Sequence, residues 1–336
     1  MRRSIVILSV VPVLLWVTWG RSPRPEPPKH LPVIDAVIPQ ALPDRRQMAR
    51  YLGPFRLEGA WQIKSRHTMV FGYSALVPEP DGKLTAFNDS GDILRFAPPG
   101  VPGPPPQPNW VRFERKAATK ASRDVESATR DPKTGGYWLG LEGRNSIIHL
   151  NSRFVATGEV APRAMHGWGL NTGPEALARL ADGRMVTIRE VPPSWTEPRL
   201  HDALVFSGDP IRHPVPQRFR FDGPDNFSVV DMAVLPDGRA LILMRRLLWP
   251  LPMRFAGRIV IADTARIRPG GVWHSQPLAS LASVLPVDNF EGIAAVPRPD
   301  GRITVWIISD DNAMRVLQRT LLWKMTVDPK TLPWPK

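Results

Sequence analysis

With 336 residues, 43% hydrophobic and 22% charged, the chain has the balance of a globular protein and can bury a sizeable core, as one large domain or two small ones. The formal net charge is +13, but the Lys and Arg residues are scattered and form no block interleaved with aromatics, which argues against a nucleic-acid partner. There is no cysteine, which excludes disulfides, lipoprotein-type acylation and thiolate metal sites.

The chain opens with a positive Met1-Arg2-Arg3, followed by an almost unbroken apolar stretch from Ile5 to Trp19. This pattern predicts export to the periplasm. Bulky Trp19 makes a poor cleavage site, so residues 1–20 read either as a signal peptide or as an uncleaved inner-membrane anchor formed by residues 5–19. Arg21-Ser22-Pro23-Arg24-Pro25-Glu26-Pro27-Pro28 starts a Pro-rich tether, placed at residues 21–52. After it no apolar run is long enough to span a bilayer, so the membrane is met through the N-terminal segment alone. The folded domain is expected over residues 53–336.

Within that domain one pattern recurs five times: an apolar strand, a glycine turn, and a second strand ending in polar residues. The turns are Asp81-Gly82, Gly135-Gly136, Asp182-Gly183, Asp237-Gly238 and Asp300-Gly301. Each hairpin is followed by one or two further strand-like runs, such as Ser146 to Leu150 or Arg258 to Ala262. A four-stranded unit repeated in this way predicts an all-β propeller. Five blades are expected, with six as the alternative if one has diverged. Gly59 to Lys64, ahead of the first hairpin, is placed to give the last blade its outermost strand and close the ring.

Aligning the hairpins puts Ser74, Glu126, Glu175, Val230 and Glu291 at one equivalent position, where the chain enters each innermost strand. The second strands end near Asp89, Glu142, Glu190, Arg245 and Asp310, so both sets should meet at one mouth of the central channel. Oxygen ligands with flexible spacing suit Ca²⁺ better than Zn²⁺. Glu126, Glu175, Glu291, Asp310 and Asp311 are therefore candidate metal ligands, and a bound cation could support Lewis-acid hydrolysis. The competing reading is a wet channel whose carboxylates pair with arginines. His166, in a loop beside the third repeat, is a candidate acid or base alongside Glu126, Glu175 and Glu291. No nucleotide or organic cofactor motif is present.

Asp288-Asn289-Phe290-Glu291-Gly292-Ile293-Ala294, then Ser309-Asp310-Asp311-Asn312 and Gln318-Arg319-Thr320-Leu321-Leu322, resemble the phytase-like, esterase-like family of bacterial propeller proteins. Asn171 to Leu177 and Asp124 to Ala128 are similar to its N-x-G-x-E-A-L and D-x-E-G elements. The resemblance implies a hydrolase of a small anionic or ester substrate, assisted by Ca²⁺, with Arg245 or Arg319 as an anion clamp; a monomer is expected. Arg245 stands where the family's L-E-R element would place an acidic residue. A non-catalytic propeller that binds a ligand or protein on its face while tethered to the inner membrane is the other function the sequence allows.

Overall fold

The computed structural model describes residues 34–67, 70–100, 109–112, 123–248, 254–314 and 317–335. The expected signal or anchor, residues 1–20, and tether residues 21–33 lie outside the described residues. No helix among the described residues is long and apolar enough to cross a membrane.

The chain enters through β1 (Ala36–Pro39), α1 (Arg45–Leu52) and β2 (Arg56–Lys64). Blade 1 is β3 (Tyr73–Pro78), β4 (Leu84–Asn88), β5 (Asp92–Phe96) and β6 (Asn109–Arg112). Blade 2 is β7 (Val125–Arg130), β8 (Tyr137–Leu141), β9 (Ser146–Leu150) and β10 (Ala156–Val160). Blade 3 is β11 (Pro174–Arg179), β12 (Met185–Arg189), β13 (Leu200–Phe206) and β14 (Gln217–Asp222). Blade 4 is β15 (Ser228–Val234), β16 (Arg239–Leu248), β17 (Arg254–Asp263) and, after β18 (Val272–His274), β19 (Gln276–Leu281). The short β18 leaves its own blade and runs parallel to β14, tying blade 4 to blade 3. Blade 5 is β20 (Asn289–Pro297), β21 (Ile303–Asp310) and β22 (Leu321–Val327), with β2 and then β1 outside it. Innermost strands β3, β7, β11, β15 and β20 each pack on the next, and β20 packs on β3. The result is a five-bladed ring.

Burial explains why the strand sequences look as they do. A strand in the middle of a blade is covered on both faces by its neighbours, so it reads as a continuous apolar run. In β16, Leu241 and Leu243 point towards blade 5 while Ala240, Ile242 and Met244 point towards blade 3. The buried apolar residues accordingly form five clusters, one in each gap between adjacent blades. The hairpin glycines Gly82, Gly135, Gly183, Gly238 and Gly301 all have positive φ, between 73° and 91°. In four of the turns the preceding aspartate accepts the backbone N–H of the residue after the glycine, as Asp237 does from Arg239 at 3.0 Å.

The expected closure by Gly59 to Lys64 is present, because β2 pairs with β22. The folded body starts before residue 53, however. Ala36–Pro39 pairs with β2, and Arg45–Leu52 forms a helix whose N-cap Asp44 accepts the Gln47 N–H at 2.9 Å. That helix buries Leu52 in the blade 4–blade 5 cluster. The Pro-rich composition thus extends the expected tether into residues that belong to blade 5.

Trp323 on β22 is fully buried, meets Phe290 edge-to-face at 4.8 Å and donates from Nε1 to the Pro286 carbonyl at 3.1 Å. Truncation by Trp323→Ala should cost about 3–5 kcal/mol, read as a lower denaturant midpoint at constant slope. An unchanged midpoint would show that blade 5 is not under load at this position.

Candidate functional site

Each innermost strand carries a β-bulge at one and the same place. The register breaks between Tyr73 and Ala75, Val125 and Ser127, Pro174 and Ala176, Val229 and Asp231, and Phe290 and Gly292. The extra residues are Ser74, Glu126, Glu175, Val230 and Glu291, the set that the hairpin alignment makes equivalent. A bulge adds a residue that has no partner opposite and re-aims its side chain. Second strands β4, β8, β12, β16 and β21 return to the same end, so one face of the ring collects both sets. We call it the mouth face.

Two triads of carboxylates form there. Oxygens of Asp124, Glu126 and Glu142 lie within 4.8 Å of one another, as do those of Glu142, Glu175 and Glu190. Glu142 therefore joins the two. It reaches the site because residues 142–144 form a short 3-10 turn, where a Glu142 Oε1 accepts the Gly173 N–H at 3.3 Å. Gly173 leaves room for this contact, since a Cβ there would lie 2.7 Å from Glu142 Cα.

Arg245 holds the opposite side. Its guanidinium lies 3.3 Å from Glu190 and 3.2 Å from Glu291, and donates to the Asn289 Oδ1 at 3.1 Å. Asn289 in turn donates to Glu291. Glu291 thus shares Arg245 with Glu190 and is not a member of either triad. Asp310 shares the channel with Glu291 and Asp89. Asp231, next to the fourth bulge, is buried and accepts the Met232 and Ile293 N–H groups at 2.8 and 2.7 Å, linking blades 4 and 5.

Desolvation comes first in the electrostatics of these groups and repulsion second. Glu126 and Glu175 are pushed well above the usual carboxylate range by burial, reinforced for Glu126 by Glu291, Glu142, Asp124 and Asp89 and for Glu175 by Glu126, Glu190, Glu142 and Glu291. Burial, then repulsion from Glu190, Asp124 and Glu291, lifts Glu142 to about 7 although Gly173 opposes the rise. Asp310 rises well above its ordinary value through burial and then the charges of Glu291, Asp89 and Asp311. For Glu190 and Glu291 burial also wins, and their pKa values rise despite Arg245. Burial opposes the charge of Arg245, but Glu291, Glu190, Glu175 and Asp310 outweigh it and its pKa rises.

Other residues singled out in the sequence lie elsewhere. Asp311 turns outward from Asp310 and lines a cavity of about 540 Å³ with Lys64, Gln318 and Arg319. Arg319 is committed there to Asp288 at 3.3 Å and to the Val287 carbonyl at 3.1 Å. It does not share the channel with Arg245. His166 is exposed in the loop between β10 and β11 and is not part of either triad. Sequence reasoning placed Glu142 and Glu190 in the second acidic tier but not among the ligands, and it missed Asp124, whose signal was its position two residues before a bulge.

The donor set is all carboxylate oxygen, with no imidazole or thiolate, and it has more negative charge than Arg245 can balance. This fits a hard divalent cation of the Ca²⁺ type and does not fit a structural zinc site.

Without such a cation, pH sets how the cluster is neutralised. A carboxyl whose pKa is raised on folding costs nothing below about pH 4.5, and the cost grows as pH climbs through the folded value. His201, fully buried and depressed by burial to about 4, acts in the opposite sense, costing stability as pH falls from about 6.5. Glu142 and His201 are each worth about 3 kcal/mol and offset one another. Glu126, Glu175 and Asp310 tip the balance, so in chelator the melting temperature should fall between pH 5 and pH 8. Glu142→Gln should remove about 3 kcal/mol of that fall. A melting temperature that rises over this interval would contradict the charge assignment.

The sequence matches the family described as Phytase-like: Esterase-like activity of phytase over residues 68–313. No curated protein matches the chain. Among solved structures, that of U3-55K has a TM-score of 0.43 at 7% identity, covering 76% of this chain and 95% of that one. A protein of unknown function from Dyadobacter fermentans gives 0.42 at 8% identity, covering 82% and 100%. The luciferin-regenerating enzyme gives 0.37 at 10% identity, covering 76% and 92%. The family match spans most of the chain and all five bulges, and the chain belongs to the phytase-like family.

Proposed function

We propose that the chain is a periplasmic hydrolase of phosphate or carboxylic esters that works with a divalent cation, Ca²⁺ by the chemistry of its donors. The observation that supports this reading is the pair of carboxylate triads sharing Glu142, whose oxygens converge within 4.8 Å on one side of the channel. Asp124, Glu126, Glu142, Glu175 and Glu190 would hold the ion. When bound, it supplies Lewis acidity at the acceptor oxygen of the ester and at the attacking water. The bulged strands fix Glu126 and Glu175 rigidly, while Arg245 keeps Glu190 and Glu291 from drifting together. The Nε–H of Arg245 has no hydrogen-bond partner among the described residues and is a donor for an anionic substrate group.

One observation favours a second reading, a propeller that binds a ligand without turning it over. Among the described residues no His or Lys joins the triads, and Ser228 is engaged with Glu190, so the attacking group would be water.

Calcium titration of chelator-treated protein should raise the unfolding temperature, by about 2.7 kcal/mol when free Ca²⁺ is a hundredfold above its dissociation constant. Glu175→Gln should weaken the shift. Calcium-dependent turnover of an aryl phosphate or aryl ester, lost in the same variant, would support the hydrolase. Stabilisation without turnover would favour the binding propeller, and no stabilisation would remove the cation.

A further inference from the structure

We infer that the mouth face docks on a lipid bilayer surface. The inference takes residues 5–19 as the uncleaved anchor, one of the two readings of the N-terminal sequence, and three observations carry it.

The first is where the chain leaves the ring. Ala36 pairs with Lys64, and β2 reaches Lys64 after running alongside β22 towards the start of that strand, so both residues lie on the mouth face. Asp35 is fixed there by its N–H on the Lys64 carbonyl at 2.9 Å. Between this point and the apolar run ending at Trp19 there is little more chain than residues 21–33, five of them proline. Thirteen residues reach at most about 40 Å in an extended Pro-rich form. A body of about 300 residues is about 50 Å across. The anchor therefore holds the face it leaves from against the bilayer more readily than the opposite one.

The second is an apolar rim. Loops and hairpin ends at the mouth carry exposed Leu170 (74%), Trp195 (91%) and Leu317 (45%), and β16 overshoots the site to present Leu248. These residues come from blades 2 to 5 and encircle the channel without filling it. Exposed Trp and Leu are the side chains that partition into the headgroup boundary.

The third is charge. Arg163, Arg246 and Arg254 are exposed on the same face. Glu197, Asp225 and Asp35, exposed acids there, are taken up by Arg220, Arg199 and Arg66. Arginines interleaved with an apolar rim match an anionic lipid surface.

The absence of cysteine makes the test direct, because one introduced thiol is unique. Full-length Trp195→Cys, Leu170→Cys and Leu317→Cys would be labelled with an environment-sensitive fluorophore and reconstituted into phosphatidylethanolamine–phosphatidylglycerol vesicles with a headgroup quencher. Val155→Cys and Val215→Cys, exposed in turns at the opposite end, are the controls. Quenching should be several-fold stronger at the three mouth positions than at the two controls, and it should decrease in zwitterionic vesicles. Equal quenching, stronger quenching at the controls, or none in a chain that floats with the vesicles would overturn the docking face. The last outcome would assign the rim to a protein partner instead. A chain that fails to float would overturn the anchor, and the docking face with it, while leaving the ester hydrolase reading untouched.

Discussion

Five innermost strands have to close a ring narrow enough for each to touch the next, and the bulge in every one of them is what makes that closure chemically useful. Without it the innermost strand would alternate strictly between the two gaps beside its blade, and both gaps are filled with apolar side chains. The extra residue breaks the alternation once per blade, at the same height, and in blades 2, 3 and 5 it turns a glutamate towards the channel, while Val230 of blade 4 stays in the apolar core. Close approach is the other consequence. A Cβ on Gly292, just after the fifth bulge, would lie 3.0 Å from the Leu76 backbone nitrogen in the next blade. The glycine is there because two backbones meet.

Once side chains of one kind are turned into one channel, their charge must be met, and the protein does so in three ways. Asp231 is met by backbone amides from two blades, a fixed and neutral solution that serves the ring itself. Glu190 and Glu291 are met by Arg245, which bridges blades 3 and 5 from blade 4. Glu126 and Glu175 have no ion-pair partner among the described residues, and Glu142 is met only in part, by the Gly173 N–H. Protons or a cation must complete that side, because burial removes the water that would otherwise screen the repulsion. The functional reading comes from this asymmetry and not from the number of acidic residues.

Much of this was legible in the residues, because repeated turns and repeated acidic positions are local signals. Asp-Gly turns announce hairpins through the backbone they require, and Glu126, Glu175 and Glu291 share a position that the bulges then explain. What was hidden depends on direction and not on spacing. Asp310 and Asp311 are adjacent in sequence, yet the end of β21 sends one to the channel and the other to an outer cavity. Arg319 follows Asp311 outward because the loop carries it to Asp288. Residues 36–52 were hidden for a different reason. Their prolines read as a tether, whereas Pro39 ends an edge strand, where a missing N–H costs little, and Asp44 caps a helix.

Arg245 shows how one residue can redistribute a whole site. The resemblance places a carboxylate at this position; an arginine replaces one negative charge by one positive and changes the local sum by two. A site with a carboxylate there would need positive charge all round the channel. Here blade 4 supplies it permanently, through a group that holds its proton at any working pH. Any cation is then confined to blades 2 and 3, where Glu142 joins the triads. Such a site has a fixed donor on one side and an exchangeable charge on the other. An anionic substrate would be polarised between unlike partners, which is the arrangement that stabilises charge developing in one direction.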